Sequence, residues 1–250
     1  MEKRIVFYFS GTGNSMSVAK GLVASGELID ISLAKPQEYT ADVIGLVYPT
    51  YCFEAPSIVK AFVAACKFNA NYVFAVATCG GQVGNATGCI GKILESKKGF
   101  LSYSASVVLP DNCLLFKSTP ESRRKMLDAE ADTVAKIACD IENRKLSSYK
   151  YTKMNEITTK ASWFAMKKVM GLDNKKANTS CVGCGLCMRE CPMDNIKVKG
   201  TTVTFGKSCQ ECYKCIHICP KGAIKFGAIK VNDKKRYVHP ELIQSIKEKF

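Results

Sequence analysis

The chain has 250 residues, 47% of them hydrophobic and 23% charged, a balance ordinary for a soluble globular protein with enough length to bury a core. No stretch approaches the roughly 18–20 uninterrupted apolar residues of a spanning helix, so a membrane span is not expected. The net charge of +14 is lopsided: residues 1–150 hold 17 Lys and Arg against 14 Asp and Glu, and residues 151–250 hold 19 against 8.

The apolar run at the start, Ile5–Phe9, is too short for a targeting segment and leads straight into a glycine-rich loop, so it reads as a first strand and the expected location is the cytoplasm. Further β-branched, apolar runs follow at Leu28–Ser32, Val43–Tyr48, Tyr72–Ala77 and Tyr103–Leu109. Helical spacing lies between them at Ser15–Ala24, Ser57–Phe68 and Asn85–Lys97, and one long helix is expected over Glu121–Lys145. Five buried-type strands alternating with helices predict an α/β fold, a doubly wound five-stranded parallel sheet. Right-handed crossovers and a phosphate loop after the first strand favour the order 2-1-3-4-5.

Ser10, Gly11, Thr12, Gly13, Asn14 and Ser15 follow that first strand and open a helix. They form neither the dinucleotide G-x-G-x-x-G pattern nor a P-loop, because no Gly-Lys-Ser/Thr follows. Small hydroxyl residues and glycines at a strand-to-helix turn let backbone N–H groups surround a phosphate. Two further loops fall at the carboxyl ends of strands three and four. The first includes Pro49, Thr50, Tyr51, Cys52 and Phe53, with aromatics able to stack on a flat ring. The second includes Thr78, Cys79, Gly80, Gly81 and Asn85, whose glycines permit close backbone approach. Leu109-Pro110-Asp111-Asn112, after strand five, is placed to close the same site, with Asn112 its candidate contact.

Residues 147–175 read as a connector with a helix over Glu156–Gly171, in which Trp163, Phe164, Met166, Val169 and Met170 alternate with Lys160, Lys167 and Lys168. Packing between two domains is the expected role, with partner docking as the alternative. The tail, residues 229–250, is polar with a short helix after Pro240.

Of the 14 cysteines six are scattered, at 52, 66, 79, 89, 113 and 139, and are expected to be reduced, small and mostly buried. The other eight form an internal repeat. Cys181, Cys184, Cys187 and Cys191-Pro192 are followed 28 residues later by Cys209, Cys212, Cys215 and Cys219-Pro220, both copies reading C-x-x-C-x-x-C-x-x-x-C-P. Three cysteines two residues apart wrap a loop round one face of an iron–sulfur cube, and the fourth points away toward the other cube. The predicted quartets for two [4Fe-4S] clusters are therefore Cys181, Cys184, Cys187 and Cys219, and Cys209, Cys212, Cys215 and Cys191. Zinc is the rival ligand set, but it needs four ligands per ion and no third evenly spaced cysteine. His217 and His239 are expected at the surface rather than at a metal.

The repeat resembles the bacterial two-cluster ferredoxins, over residues 176–228. The Ser10–Ser15 loop resembles the FMN-phosphate loop of flavodoxins, with residues 1–146 as an FMN domain. Joined in this order, the two look like the flavodoxin–ferredoxin fusion family of anaerobic bacteria and archaea. That resemblance implies FMN, two clusters and electron transfer to soluble redox proteins. Positive charge not balanced by the cofactors suits an acidic partner. Nucleic acid is not expected, since the lysines are dispersed and no such motif accompanies them. The alternative is an FMN-dependent oxidoreductase that reduces a small substrate such as a quinone. One departure stands out. Residues 49–55 contain no glycine, so a backbone flip to φ > 0 beside the flavin should be costly, and two electrons should exchange at nearly one potential.

Overall fold

The computed structural model describes every residue except Met1, 115–118, Asp173, 228–234 and Phe250. In its first part β1 (Arg4–Tyr8), α1 (Asn14–Leu22), β2 (Glu27–Asp30), β3 (Glu38–Thr40), β4 (Val43–Pro49), α2 (Ser57–Ala65), β5 (Lys67–Asn69), β6 (Tyr72–Cys79), α3 (Ala86–Ser96) and β7 (Tyr103–Val108) follow in order. Five strands pair in parallel in the order β2-β1-β4-β6-β7, the flavodoxin-like 2-1-3-4-5 arrangement. Every residue of β4 and β6 is buried, because helices cover both faces of the sheet and these strands have no solvent side. One face packs Phe7, Ile44 and Leu46 against Phe62 and Ile90; the other packs Val6, Val47 and Phe74 against Val18, Leu22 and Ile137.

Two expectations here needed correction. The helix expected to run to Phe68 ends at Ala65, and Lys67–Asn69 instead pairs in parallel with Glu38–Thr40 as a small second sheet. The long helix after β7 is two, α4 (Pro120–Asp128) and α5 (Glu130–Glu142), parted at Ala129. The break has a use. Helix α5 buries Val134, Ile137 and Ile141 against the sheet, whereas α4 buries nothing and swings over the carboxyl edge of the strands, where Arg123 Nη1 donates to Arg236 O at 2.9 Å.

Helix α6 (Lys153–Phe164) continues into a π-helical turn, Ala165–Val169. Trp163 touches both the main core and a smaller core formed by Leu114, Leu172, Tyr213, Ile216, Ile224 and Phe226, so the connector packs between two units. The second unit comprises β8 (Lys175–Ala177), α7 (Leu186–Arg189), β9 (Ile196–Lys199), β10 (Thr202–Phe205), α8 (Lys214–His217) and β11 (Ile224–Phe226). Its strands pair antiparallel, β8 with β11 and β9 with β10. The tail ends in α9 (Pro240–Lys249), in the place expected for a helix, and packs on α1.

Candidate functional site

The structure gathers the eight clustered cysteines into two groups. Cys181, Cys184, Cys187 and Cys219 line one cavity, with Val182, Leu186, Val198, Val203 and Ile224 around them. Cys191, Cys209, Cys212 and Cys215 line another, with Ile196, Phe205, Tyr213 and Lys175. The exchange of the fourth cysteine between copies follows from the short turns α7 and α8, which carry Cys191 and Cys219 away from their own loops. Backbone N–H groups already approach the sulfurs: Asn195 to Cys191 at 3.4 Å, Ala223 to Cys219 at 3.3 Å and Glu211 to Cys209 at 3.4 Å. Such bonds and an apolar shell are what a four-thiolate cluster requires.

The two copies share a backbone but not a sequence. Gly183 (φ 71) and Gly185 (φ 73) of the first copy correspond to Glu211 (φ 55) and Tyr213 (φ 55) of the second. A left-handed conformation costs a non-glycine residue roughly 1–2 kcal/mol, so these two side chains are retained against a penalty. Both are used. Glu211 forms a buried ion pair with Lys175, Oε2 to Nζ 2.5 Å, and Tyr213 stacks on Phe226 at 5.2 Å between ring centroids. Burial works against the Lys175 ammonium, but the adjoining Glu211 carboxylate outweighs it and keeps that pKa raised.

At the carboxyl edge of the parallel sheet lie two connected cavities. The smaller is lined by Ser10, Gly11, Thr12, Asn14, Ser15, Pro49, Thr50, Thr78 and Pro110–Asn112, with Gly13 of the same loop outside its lining. The larger, about 700 Å³ and open at its mouth, shares Thr50, Cys79, Gly80, Asp111 and Asn112 with it. Its far wall comes from α4, the connector and the second cysteine motif: Met126, Trp163, Met166, Glu211 and Tyr213. Helix α1 begins at Asn14 with no acidic residue in its first turn, which leaves its positive end facing the smaller cavity. The Thr50 hydroxyl is buried without a hydrogen-bond partner. An unpaired buried hydroxyl costs about 1–3 kcal/mol, and a bound phosphate ester with its polyol chain would satisfy it. The neutral donor set and the helix terminus thus fit FMN.

Not every predicted site residue lies here. Asn85 ties the connector instead, exchanging hydrogen bonds with the backbone of Thr152 at 2.9 Å each way, and lines neither cavity. The Asn14 side chain reaches the smaller cavity but is held by Pro110 O and the Tyr237 hydroxyl. The loop glycines answer to neighbours behind the loop. A Cβ on Gly11 would stand 2.5 Å from Cys212 O, and one on Gly13 (φ 103) would stand 2.7 Å from His239 Cβ. Gly11→Ala should therefore push the second cysteine motif off the sheet edge. Loss of iron from the Cys212 quartet and a Tm lower by several degrees are expected, and unchanged iron content would contradict this role.

The loop at residues 51–54 overturns the premise about φ. Cys52 (φ 48) and Phe53 (φ 67) are already left-handed, in a tight turn closed by Tyr51 N to Glu54 O at 2.8 Å and Glu54 N to Tyr51 O at 3.1 Å. The cost that glycine would have avoided is built into the fold. Both histidines are buried, at 3% and 4% exposure, contrary to expectation. Burial pushes the His217 pKa down to about 4, leaving a neutral ring. His239 Nε2 pairs with Glu130 Oε2 at 2.9 Å. The scattered cysteines also divide: Cys66, Cys79 and Cys89 are buried, Cys52 and Cys113 are half-buried in the wall of the large cavity, and Cys139 is exposed.

Residues 173–233 match the family model of the 4Fe-4S dicluster domain. The chain joins a doubly wound parallel sheet of order 2-1-3-4-5 to a region that matches this family model. An uncharacterized protein of Methanocaldococcus jannaschii is 41% identical over 61 residues, and the chain spans about a quarter of that relative's length. Solved structures similar to the chain include a putative flavoprotein from Bacteroides uniformis (20% identity, 42% of this chain and 90% of that one, TM-score 0.36). Two others are the flavodoxin of Streptococcus pneumonia TIGR4 (14%, 54% and 99%, 0.37) and that of Megasphaera elsdenii (21%, 52% and 98%, 0.36). The dicluster domain meets the parallel sheet along the edge that carries both cavities: Cys212 packs in the main core with Tyr51, and Gln210 Oε1 accepts from Ser57 Oγ at 2.7 Å and Ile58 N at 3.0 Å. No helix among the described residues is long and apolar enough to cross a membrane.

Proposed function

We propose that the chain is an electron-transfer protein that holds FMN and two [4Fe-4S] clusters and passes electrons among them and on to soluble redox partners. The observation that carries this reading is one wall: Tyr213 lines both the large cavity and the cavity of the Cys191, Cys209, Cys212 and Cys215 quartet. In this reading residues 1–146 hold FMN, 147–175 connect, 176–228 hold the clusters and 229–250 form a tail; the boundary at residue 228 falls outside the described residues. Bound FMN supplies exchange of electrons singly or in pairs, and a cluster exchanges one at a time.

The chain's own residues supply position and exclusion of water. Backbone amides of Gly11, Thr12, Asn14 and Ser15 with the Ser10, Thr12 and Ser15 hydroxyls would take the phosphate, and Gly13, whose amide donates to Ser10 Oγ, would shape the loop. Thr50, Cys79, Gly80 and Asn112 sit where the smaller cavity opens into the larger, and Tyr51 and Phe53 border the ring. Cys181, Cys184, Cys187 and Cys219 hold the outer cluster. The Cys209-side quartet holds the inner one behind Tyr213 and the Lys175–Glu211 pair. Cys184 is exposed, with Arg189, Lys199 and Lys221 exposed in the same motif or hairpin, so an acidic redox protein in the cytoplasm is the suited partner.

A second reading, reduction of a small flat substrate such as a quinone, is favoured by the aromatic lining of the large cavity, about 700 Å³, by Tyr51, Phe53, Trp163 and Tyr213. Ligand pockets commonly measure roughly 300–1,000 Å³, so the cavity is of ordinary ligand size. Anaerobic purification with iron, sulfide and flavin analysis on one sample should return about eight irons and one FMN per chain. A colourless protein that holds zinc would contradict the main reading. Saturable oxidation of the pre-reduced protein by quinone would favour the second.

A further inference from the structure

Four distant segments meet in a closed ring of hydrogen bonds beside the smaller cavity. Asn14 Nδ2, at the start of α1, donates to Pro110 O at 2.9 Å. Two residues along that loop, Asn112 O lies 2.9 Å from His217 Nε2. His217 Nδ1 accepts the Tyr237 N–H at 3.0 Å, and the Tyr237 hydroxyl donates to Asn14 Oδ1 at 2.8 Å. An acceptor at Nδ1 requires the hydrogen at Nε2, so Nε2–H donates to Asn112 O and the neutral ring satisfies both partners. Asn14, Pro110 and Asn112 all line the cavity assigned to the FMN phosphate.

His217 stands between Cys215, of one cysteine quartet, and Cys219, of the other. It is carried on α8, which is one turn of four residues. A single turn has too little hydrogen bonding to hold itself in place, so packing of Ile216 in the smaller core, the Lys214–Glu190 ion pair and the groups that Cys215 and Cys219 would bind share in fixing it. Arg236, next to Tyr237, is hydrogen-bonded to Cys219 O and ties the tail to the same turn. Release of that turn would free both loops that border the phosphate. FMN would then have to bear the cost of ordering them.

We propose that His217 is a positioning residue through which the cluster-bearing turn holds the FMN site closed, so that FMN binding and cluster binding are thermodynamically coupled. The inference rests on the proposed function. By linkage, clusters tighten FMN binding by the same factor by which FMN tightens cluster binding.

The test is FMN titration of deflavinated protein under anaerobic conditions, read by quenching of flavin fluorescence, with iron content measured on each sample. Wild type with its clusters should bind FMN at least about tenfold more tightly than the same protein after chelation of its iron. His217→Leu with clusters intact should lose most of that tenfold, and His217→Gln, which keeps a donor for Asn112, should recover part of it. Tyr237→Phe removes only the bond to Asn14 and lies outside both cysteine motifs; it should weaken FMN binding several-fold and shrink the effect of chelation. It decides the matter if His217→Leu fails to load iron. Variants that load iron and bind FMN within twofold of wild type would overturn the inference, as would a wild-type affinity indifferent to chelation. Wild type that binds no FMN in either state would overturn both the inference and the function on which it rests.

Discussion

Replacing Cys191 by alanine should empty the cavity that Cys209, Cys212 and Cys215 line, although Cys191 belongs to the first motif. Iron should fall from about eight to about four per chain, and Cys209→Ala should give the same remaining cluster with the same paramagnetic signal. Cys219→Ala and Cys181→Ala should form a second matching pair with the opposite cluster retained. The two pairs should differ in one further respect. Loss of the Cys209-side quartet removes the group behind Tyr213 and should isolate the flavin from what remains. Loss of the Cys181-side quartet, whose cavity shares no lining residue with the flavin cavity, should leave the flavin in exchange with the inner cluster. Iron analysis and reduced-state spectra of the four variants check this. A spectrum from Cys191→Ala that matches Cys181→Ala would mean that each motif ligates its own cluster.

Lys175→Met should destabilise the protein by about 3–5 kcal/mol, because it leaves the Glu211 carboxylate buried and unpaired. The two side chains are 3% and 7% exposed, and Lys175 Nζ also donates to Leu172 O at 3.0 Å. The double variant Lys175→Met, Glu211→Gly should return most of the loss. It removes both charges, and glycine is the residue that the first motif carries at the corresponding position, Gly183. The change at 211 also relieves a left-handed backbone worth roughly 1–2 kcal/mol. Denaturant midpoints of the anaerobic, cluster-loaded proteins measure this. A double variant no more stable than the single one would show that the pair is not coupled.

Much of the architecture could be read directly from residue order. Runs such as Val43–Tyr48 and Tyr72–Ala77 are apolar on both faces, and only a sheet covered on both sides accommodates that. The cysteine spacing by itself separates the two quartets that line the two cavities. What escaped depends on contacts between segments far apart in the chain. Glu38–Thr40 and Lys67–Asn69 are three residues each, too short for one central aromatic, Tyr39 or Phe68, to mark a strand; they pair where the helix before the second stops at Ala65. His217 and His239 are isolated polar residues in sequence, and contacts with distant segments bury them: His217 meets Asn112 and Tyr237, and His239 meets Thr12 and Glu130. Gly11 looked like a phosphate-loop glycine, and its tightest neighbour is Cys212 O, 201 positions away in the chain. Aligning the two motifs sets Gly183 and Gly185 against Glu211 and Tyr213, which marks the second copy as the one whose loop faces another part of the molecule.

In the proposed function, flavin and clusters exchange electrons within one molecule across the wall at Tyr213. Anaerobic flash reduction of the bound flavin, followed at cluster wavelengths over a range of protein concentrations, tests it most directly. A cluster-bleaching rate independent of protein concentration is expected. A rate that rises in proportion to protein concentration would mean that electrons pass between molecules, and would contradict the claim.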